Sequence, residues 1–288
     1  MRRGTFGACT IPRMIAYPHA KINLGLNVIG KRADGYHDIE SVMVPIPLHD
    51  ALEVVMNPEA PQGSVSYTRS GLPVDGPLKS DLVMRAHALL SSEHRLPGLR
   101  VHLHKAIPLG AGLGGGSSNG AFALSLINQV AGLGLRRSGL TELAAVLGSD
   151  CPFFVSDGPQ LARGRGEVLT PIELDLAGLW IVLVNPGVHV ATSLAYAHAE
   201  MSGRELGLAQ LLRHEPVERW REAAPNLMEP YVFRTWPEVA EAYARLRHAG
   251  AAHAAMSGSG STVFGIFRSK PPMLEWPSRH KSWTLSLG

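Results

Sequence analysis

Pro108-Leu-Gly-Ala-Gly-Leu-Gly-Gly-Gly-Ser-Ser118 sets five glycines within seven positions and ends on two hydroxyls. Just before it, Leu99-Arg-Val-His-Leu-His104 alternates, with Leu99, Val101 and Leu103 on one face and Arg100, His102 and His104 on the other, the period of a strand. Just after it, Gly120-Ala-Phe-Ala-Leu-Ser-Leu-Ile127 has helical composition. Strand, glycine loop and helix in this order suit an anion. Glycines let backbone N–H groups curl around a phosphate, and a helix N-terminus adds unpaired donors and partial positive charge. A triphosphate is the natural ligand, although a glycine run on its own also fits a tight turn. The loop is not a Walker A motif, because Gly116 is followed by Ser117 rather than by Lys. Gly110 to Gly115 satisfies GxGxxG, but no acidic residue lies between Lys105 and Glu142, so a dinucleotide fold is a weak match.

Working outward, Lys21-Ile-Asn-Leu-Gly-Leu-Asn-Val-Ile29 places Ile22, Leu24, Leu26 and Val28 at period two and predicts an early strand. Asp34-Gly35 reads as a turn, and the text from there through Met56 and over residues 65–67 is strand-like. Ser80 is a candidate N-cap for a helix carrying Leu82, Ala86, Leu89 and Leu90, ending before Pro97-Gly98. Ser138 to Leu147 reads as a second capped helix. Strands are expected around Val168 and over residues 179–184, a helix over residues 238–246, and a last strand from Ser261 to Phe267, with no usable periodicity from Ser269 onward. The expectation is an α+β chain of two lobes, residues 15–160 and 161–288. Residues 1–14 form a basic N-terminal extension without the apolar stretch of a secretory signal, and Met14 is an alternative start.

Composition narrows the class. The chain has 288 residues, enough for two domains at roughly 150 each. Hydrophobic residues make up 45% and charged residues 18%, unlike a charge-rich disordered chain. No apolar run approaches the roughly 20 residues of a bilayer span, so no membrane partner is expected. A net charge of +3, without Lys/Arg runs interleaved with aromatics, gives no reason to expect nucleic acid as a partner. Two cysteines, Cys9 and Cys151, cannot build a disulfide scaffold or a CxxC site and suit a cytoplasmic protein.

Three further features bear on chemistry. Asp150, in Gly-Ser-Asp-Cys-Pro, stands at a helix end beside a Cys-Pro break, where a carboxylate serves either as a general base or as a turn cap. Phosphoryl transfer to an alcohol needs a proton acceptor and a cation, and Lys21 on the first strand is a candidate cation or simply a solvated charge. Ala255-Met-Ser-Gly-Ser-Gly-Ser-Thr262 is a second small-residue loop, suited to close backbone approach or to an ordinary connection.

Taken in order, KINLGL, RADGYH, PLGAGLGGGSSN, GSDCPFF and MSGSGSTVF resemble the GHMP kinase superfamily over about Tyr17 to Phe267. RADGYH after AKINL points within it to the branch acting on a cytidylated methylerythritol in the non-mevalonate route to isoprenoids. The resemblance implies a two-lobe GHMP fold with the active site in the cleft. It also implies ATP and Mg²⁺ as cofactors, and a small-molecule substrate bound by a monomer or homodimer.

It makes Asp150 the base and Lys21 its alkoxide-stabilising neighbour. Phosphate contacts would come from Lys105, Pro108, Gly110, Gly112, Gly114, Gly115, Gly116, Ser117 and Ser118. Ser117 or Ser118 would help to hold Mg²⁺, whose carboxylate ligand is not evident. Tyr36 and Tyr196 would stack on cytosine, His37 would read its edge, and Asn23 and Thr192 would touch the erythritol part. The chain departs from the family at Asp81, where Asn is usual near adenine, at Gly120, where Ala is usual, and in its tail. Other GHMP small-molecule kinases, of homoserine or mevalonate type, and a non-catalytic nucleotide-binding regulator are the alternatives.

Overall fold

The computed structural model describes residues 13–287. Most of the expected extension, with Cys9, lies outside them. Arg13 and Met14 are an exception and correct its boundary, because both belong to β1 (Arg13–Ala16), which pairs antiparallel with residues 52–55.

Two long strands follow, β2 (His19–Lys31) and β3 (His37–His49), joined through the Asp34-Gly35 turn. The period-two pattern of β2 does not keep its apolar residues in one core. Gly25 takes φ +76° and the register shifts between Leu24 and Leu26. Ile22 and Leu24 consequently enter one core while Leu26 and Val28 enter another. At the shift the strand keeps its pairing with β3 through Leu26 and Ser41 and also bonds the distant segment at Asn226: Leu26 N–H donates to Pro225 O at 2.9 Å, and Leu227 N–H donates to Leu26 O at 2.9 Å. A Cβ on Gly25 would meet Ala224 Cβ at 2.9 Å, so glycine permits both the backbone angle and the approach. One strand thus anchors both lobes.

The next elements are β4 (Ala51–Met56), β5 (Val65–Gly71), α1 (Leu82–Glu93), β6 (Leu99–Lys105), α2 (Gly115–Val130) and α3 (Arg137–Leu147). Strands β1, β4, β6 and β5 form one sheet in that order, with β5 and β6 parallel. Leu99, Val101 and Leu103 point into a core shared with Val83, Leu90 and Leu124, each fully buried apolar side chain contributing about 1.5–3 kcal/mol. Helix α1 is capped by Asp81, not Ser80: its carboxylate accepts from Val83 N–H at 3.0 Å. Helix α3 starts at Arg137 without a side-chain cap, so the cap expected at Ser138 is absent.

Beyond α3 come β7 (Gln160–Gly164), β8 (Val168–Pro171) and β9 (Leu179–Asn185). Strands β2, β3, β7 and β8 make a second sheet in that order, so a lobe boundary at residue 160 cuts through hydrogen-bonded strands. That sheet extends through Pro171. The remaining elements are α4 (Thr192–Ala197), α5 (Leu208–His214), α6 (Trp220–Ala223), α7 (Glu229–Thr235), α8 (Pro237–His248), β10 (His253–Met256), β11 (Val263–Phe267) and β12 (Lys281–Leu287).

The third sheet runs β10-β11-β9-β12. The tail, without periodicity in sequence, supplies its edge strand β12, where alternating burial of Trp283, Leu285 and Leu287 is interrupted by polar residues. Ile181, Phe264 and Ile266 from this sheet share a core with Ile22 and Leu24, so the two lobes pack through a common interior. Among the described residues, no helix is long and apolar enough to cross a membrane.

Candidate active site

The glycine loop leaves β6 and enters α2. Gly110, Gly112 and Gly114 take φ of +63°, +77° and +68°. A Cβ on Gly112 would collide with the Ser257 carbonyl, and one on Gly114 would lie 2.7 Å from the Phe154 ring and 3.0 Å from Lys21 Cγ. These glycines allow three elements to close on the loop. Helix α2 begins at Gly115, so the N–H groups of Gly115, Gly116 and Ser117 lack helical acceptors, whereas Ser118 N–H donates to Gly114 O at 2.9 Å. Ser117 lines the cleft, whereas Ser118 is buried and its Oγ has no hydrogen-bond partner.

Lys105, expected at the phosphates, is instead part of the footing beneath the loop. Its ammonium donates to Asp50 Oδ2 and to Asn119 Oδ1, the latter at 2.9 Å. Asp50 Oδ1 accepts from the N–H groups of Ala106 (2.7 Å) and Ile107 (2.9 Å), while Oδ2 also accepts from Asn119 Nδ2 at 2.8 Å. Burial pulls the Lys105 ammonium below the usual lysine range, and Asp50 opposes that shift. The reason for its position is the strand period: Lys105 continues the inward face of Val101 and Leu103, not the outward face of His102 and His104.

Lys21 projects from β2 toward Asp150, with Nζ 3.5 Å from Oδ2. Asp150 stands before the short 3₁₀ turn Cys151–Val155 and its side chain does not cap it, which leaves the carboxylate to the cleft. Lys21 Nζ also donates to Asn23 Oδ1 at 2.5 Å. Asn23 Nδ2 donates to Ser41 Oγ at 2.8 Å, and that hydroxyl donates to Gly25 O at 2.7 Å. On the other side, Asn23 N–H donates to Ser257 Oγ (3.3 Å), which donates to Gly112 O (2.8 Å). Asn23 is therefore the hub that ties the lysine to both small-residue loops. Cys151, adjacent to Asp150, is free and buried, and burial pushes its thiol up to about 11.

Two cavities meet at Asp150. One, of about 320 Å³, is lined by Lys21, Asn23, the loop glycines, Ser117 and Asp150. The other, of about 550 Å³, is lined by Tyr36, His37 and Tyr196. Asp150, Arg165, Thr192 and Tyr196 face both. His37 stacks on Tyr196, with ring centroids 5.2 Å apart and planes 22° from parallel. Tyr36 is 54% exposed and carries the Arg165 guanidinium 4.8 Å from its ring centroid. Burial, with a contribution from Lys31, pulls His37 below the usual histidine value, so its ring is neutral near pH 7 and offers one donor and one acceptor. Thr192 Oγ1 lies 3.0 Å from Ser259 Oγ and joins α4 to the second small-residue loop.

Asp81 is committed to structure, accepting from Tyr67 Oη at 2.7 Å and from Arg69 at 3.4 Å besides capping α1. It borders a third cavity of about 220 Å³ beside Leu109 and Gly116. Sequence reasoning missed Asp50, Asn119, Ser41 and Arg165. Asp50, Ser41 and Arg165 lie in none of the motifs, and Asn119 closes the glycine-loop motif, but its bonds to Lys105 and Asp50, like the contacts of Ser41 with Asn23 and of Arg165 with Tyr36, are made by the fold. Among the described residues, no cluster of three or more His, Cys, Asp or Glu offers a metal cage.

A glycine loop at a helix N-terminus, a buried lysine facing a carboxylate and a two-lobed α+β frame define a small-molecule kinase of the GHMP class. Residues 81–158 match the GHMP kinases N terminal domain and residues 208–273 the GHMP kinases C terminal domain. The 4-diphosphocytidyl-2-C-methyl-D-erythritol kinase of Azobacteroides pseudotrichonymphae is 44% identical over 255 residues, covering 88% of this chain and 94% of that one. That of Parabacteroides distasonis is 44% identical over 254 residues, covering 88% and 92%. A crystal structure of 4-(cytidine 5'-diphospho)-2C-methyl-D-erythritol kinase superposes with a TM-score of 0.75 at 31% identity, covering 96% of this chain and all of that one. Homoserine kinase from Cytophaga hutchinsonii, at 16% identity and a TM-score of 0.71 over 99% and 98% of the two chains, shares the fold. The chain belongs to the 4-diphosphocytidyl-2-C-methyl-D-erythritol kinase family of GHMP kinases.

Proposed function

We propose that the protein transfers the γ-phosphoryl group of ATP to the 2-hydroxyl of 4-diphosphocytidyl-2-C-methyl-D-erythritol, a step toward isoprenoid precursors by the non-mevalonate route. The observation that carries this reading is the meeting of the two cavities at Asp150, with the glycine loop on one side and the aromatic rings on the other.

ATP phosphates lie against the glycine loop and the first turn of α2, where free N–H groups and the helix dipole oppose their charge. Asp150 accepts the proton of the attacking hydroxyl while its oxygen bonds to the γ-phosphorus and the bond to the β–γ bridging oxygen breaks, releasing ADP. Lys21 offsets the negative charge developing on the attacking oxygen. Asn23 fixes the lysine, so the two charges meet the substrate already oriented.

The residues present suit Mg²⁺ only in a phosphate-held form. Ser117, at the start of α2, is the hydroxyl that would join the phosphate oxygens and waters around it. The ion would neutralise phosphate charge when bound.

His37 pairs with the edge of cytosine, Tyr36 and Tyr196 cover its faces, and Asn23 and Thr192 border the erythritol. The aromatic cavity favours this substrate over homoserine or mevalonate, neither of which contains a base to stack. The buried Lys21 facing Asp150 favours an enzyme over a nucleotide-binding regulator. A cytoplasmic monomer or homodimer without nucleic-acid or membrane partners fits the composition.

The test is ADP release with ATP and Mg²⁺ across four acceptors: the cytidylated methylerythritol, homoserine, mevalonate and galactose. Turnover confined to the first supports the reading. Turnover on another alcohol discards the cytosine site, and ATP binding with no turnover on any of the four favours the regulator.

A further inference from the structure

Among the described residues, Arg165 is the one lysine or arginine that lines both cavities, and nothing in the transfer chemistry uses it. It sits at the tip of the turn between β7 and β8, with Gly164 at φ +67° and Gly166 at φ +110° on either side and Gly166 N–H donating to Arg163 O at 3.1 Å. Glu167 fixes this tip: its Oε2 accepts from Arg165 N–H at 2.5 Å and its Oε1 lies 3.5 Å from Arg165 Nε. The guanidinium lies over Tyr36, 4.8 Å from the ring centroid, and the side chain lines both cavities. Its side chain is 38% exposed, open to a ligand yet partly shielded from water.

A substrate with its base among the aromatic rings and its hydroxyl at Asp150 must cross the junction between the cavities. In the proposed substrate the group that crosses is a diphosphate. The other side chains shared by both cavities are Asp150, Thr192 and Tyr196, of which none carries positive charge. Lys21 is already engaged by Asp150 and Asn23.

We infer that Arg165 binds the diphosphate of the cytidylated substrate, holding its midpoint while the rings hold one end and Lys21 and Asp150 the other. This rests on the kinase reading above and adds a substrate-binding residue to it. A planar guanidinium presents two parallel N–H donors to two phosphate oxygens, a fixed fork that a lysine ammonium lacks.

The test is calorimetric titration of the full-length protein and its Arg165→Gln and Arg165→Lys variants with cytidine, CDP and ATP. The inference requires Arg165→Gln to weaken CDP about tenfold or more while cytidine changes by less than about twofold, as loss of a charge-assisted phosphate contact would do. Arg165→Lys is expected in between, and ATP affinity unchanged. Equal weakening of cytidine and CDP would mean that Arg165 merely supports Tyr36 and would overturn the inference. Weakening of ATP in place of CDP, or no change in any ligand, would overturn it as well. A wild-type protein that binds neither cytidine nor CDP would instead remove the cytosine site of the proposed function, on which the inference rests.

Discussion

Lys21 Nζ and Asp150 Oδ2 stand 3.5 Å apart across the cleft, the lysine side chain 5% exposed and the aspartate 36%. The asymmetry suits their proposed roles: the cation is enclosed and oriented by Asn23, while the carboxylate is open to an incoming hydroxyl. Asp150→Asn keeps the size and removes the proton acceptor. Its kcat is expected to fall by about 10²- to 10⁴-fold with ATP affinity retained. Single-turnover rates and nucleotide titration on the same sample check this, and normal turnover would remove Asp150 as base.

Gly112 argues a second prediction from backbone geometry. Its φ is +77°, and a Cβ there would run into the Ser257 carbonyl, a backbone atom that cannot rotate away. Gly112→Ala is expected to push the two small-residue loops apart and to weaken ATP by about tenfold or more, about 1.4 kcal/mol. Gly132→Ala, at φ +64° in open space, is the control for conformational strain alone. Comparable ATP affinity in the two variants would show that contact with Ser257 does not shape the loop.

The glycine loop was legible as a candidate phosphate site from its own composition, whereas Lys21 and Asp150 stood out from a solvated charge and a turn cap only through the ordered motifs that resemble the GHMP kinases, because the two are remote in sequence and meet only in the fold. Asp50 was not: its hydrogen-bond partners Ala106, Ile107 and Asn119 lie 56, 57 and 69 positions away. Strand β2 was legible as a strand, yet its alternation could not reveal that the register shifts at Gly25 and sends Leu26 to a different core. The tail strand β12 was hidden for a similar reason, since its pairing with β9 is long-range and its exposed residues interrupt any apolar pattern. Arg165 became visible only when the fold brought its turn over Tyr36.

Asp50 and Lys105 support a third prediction. Their side chains are 0% and 1% exposed, so removing either partner leaves an uncompensated charge in the interior. Lys105→Met is expected to destabilise by about 3–5 kcal/mol. The double variant Asp50→Asn with Lys105→Met should lose less than the two single losses combined, because no charge is then left unpaired. Urea unfolding of all four proteins measures the coupling, and strict additivity would show that the pair does not act as a unit.

The last prediction concerns pH. His253 is buried between Trp220 and Phe264, neither ring nitrogen has a hydrogen-bond partner, and burial pushes it down to about 3. Between about 3 and the ordinary value of 6.5 the unfolded chain binds a proton at this residue that the folded chain does not. Stability from His253 is therefore present above 6.5 and lost as pH falls. Glu229 acts in the opposite sense. Burial pushes its carboxyl up to about 7 from 4.5, so between those values the folded state holds the extra proton and stability falls as pH rises. The two slopes oppose each other from about 4.5 to 6.5, and below 4.5 only the His253 slope of the two persists. His253→Phe removes the titrating ring while keeping an aromatic side chain in its place. Relative to wild type, this variant should gain about 1.4 kcal/mol for each pH unit below about 6.5. Urea unfolding of both proteins at about pH 7, 5.5 and 4.5 checks the trend. A stability difference independent of pH would show that His253 takes up its proton in the folded state as readily as in the unfolded chain.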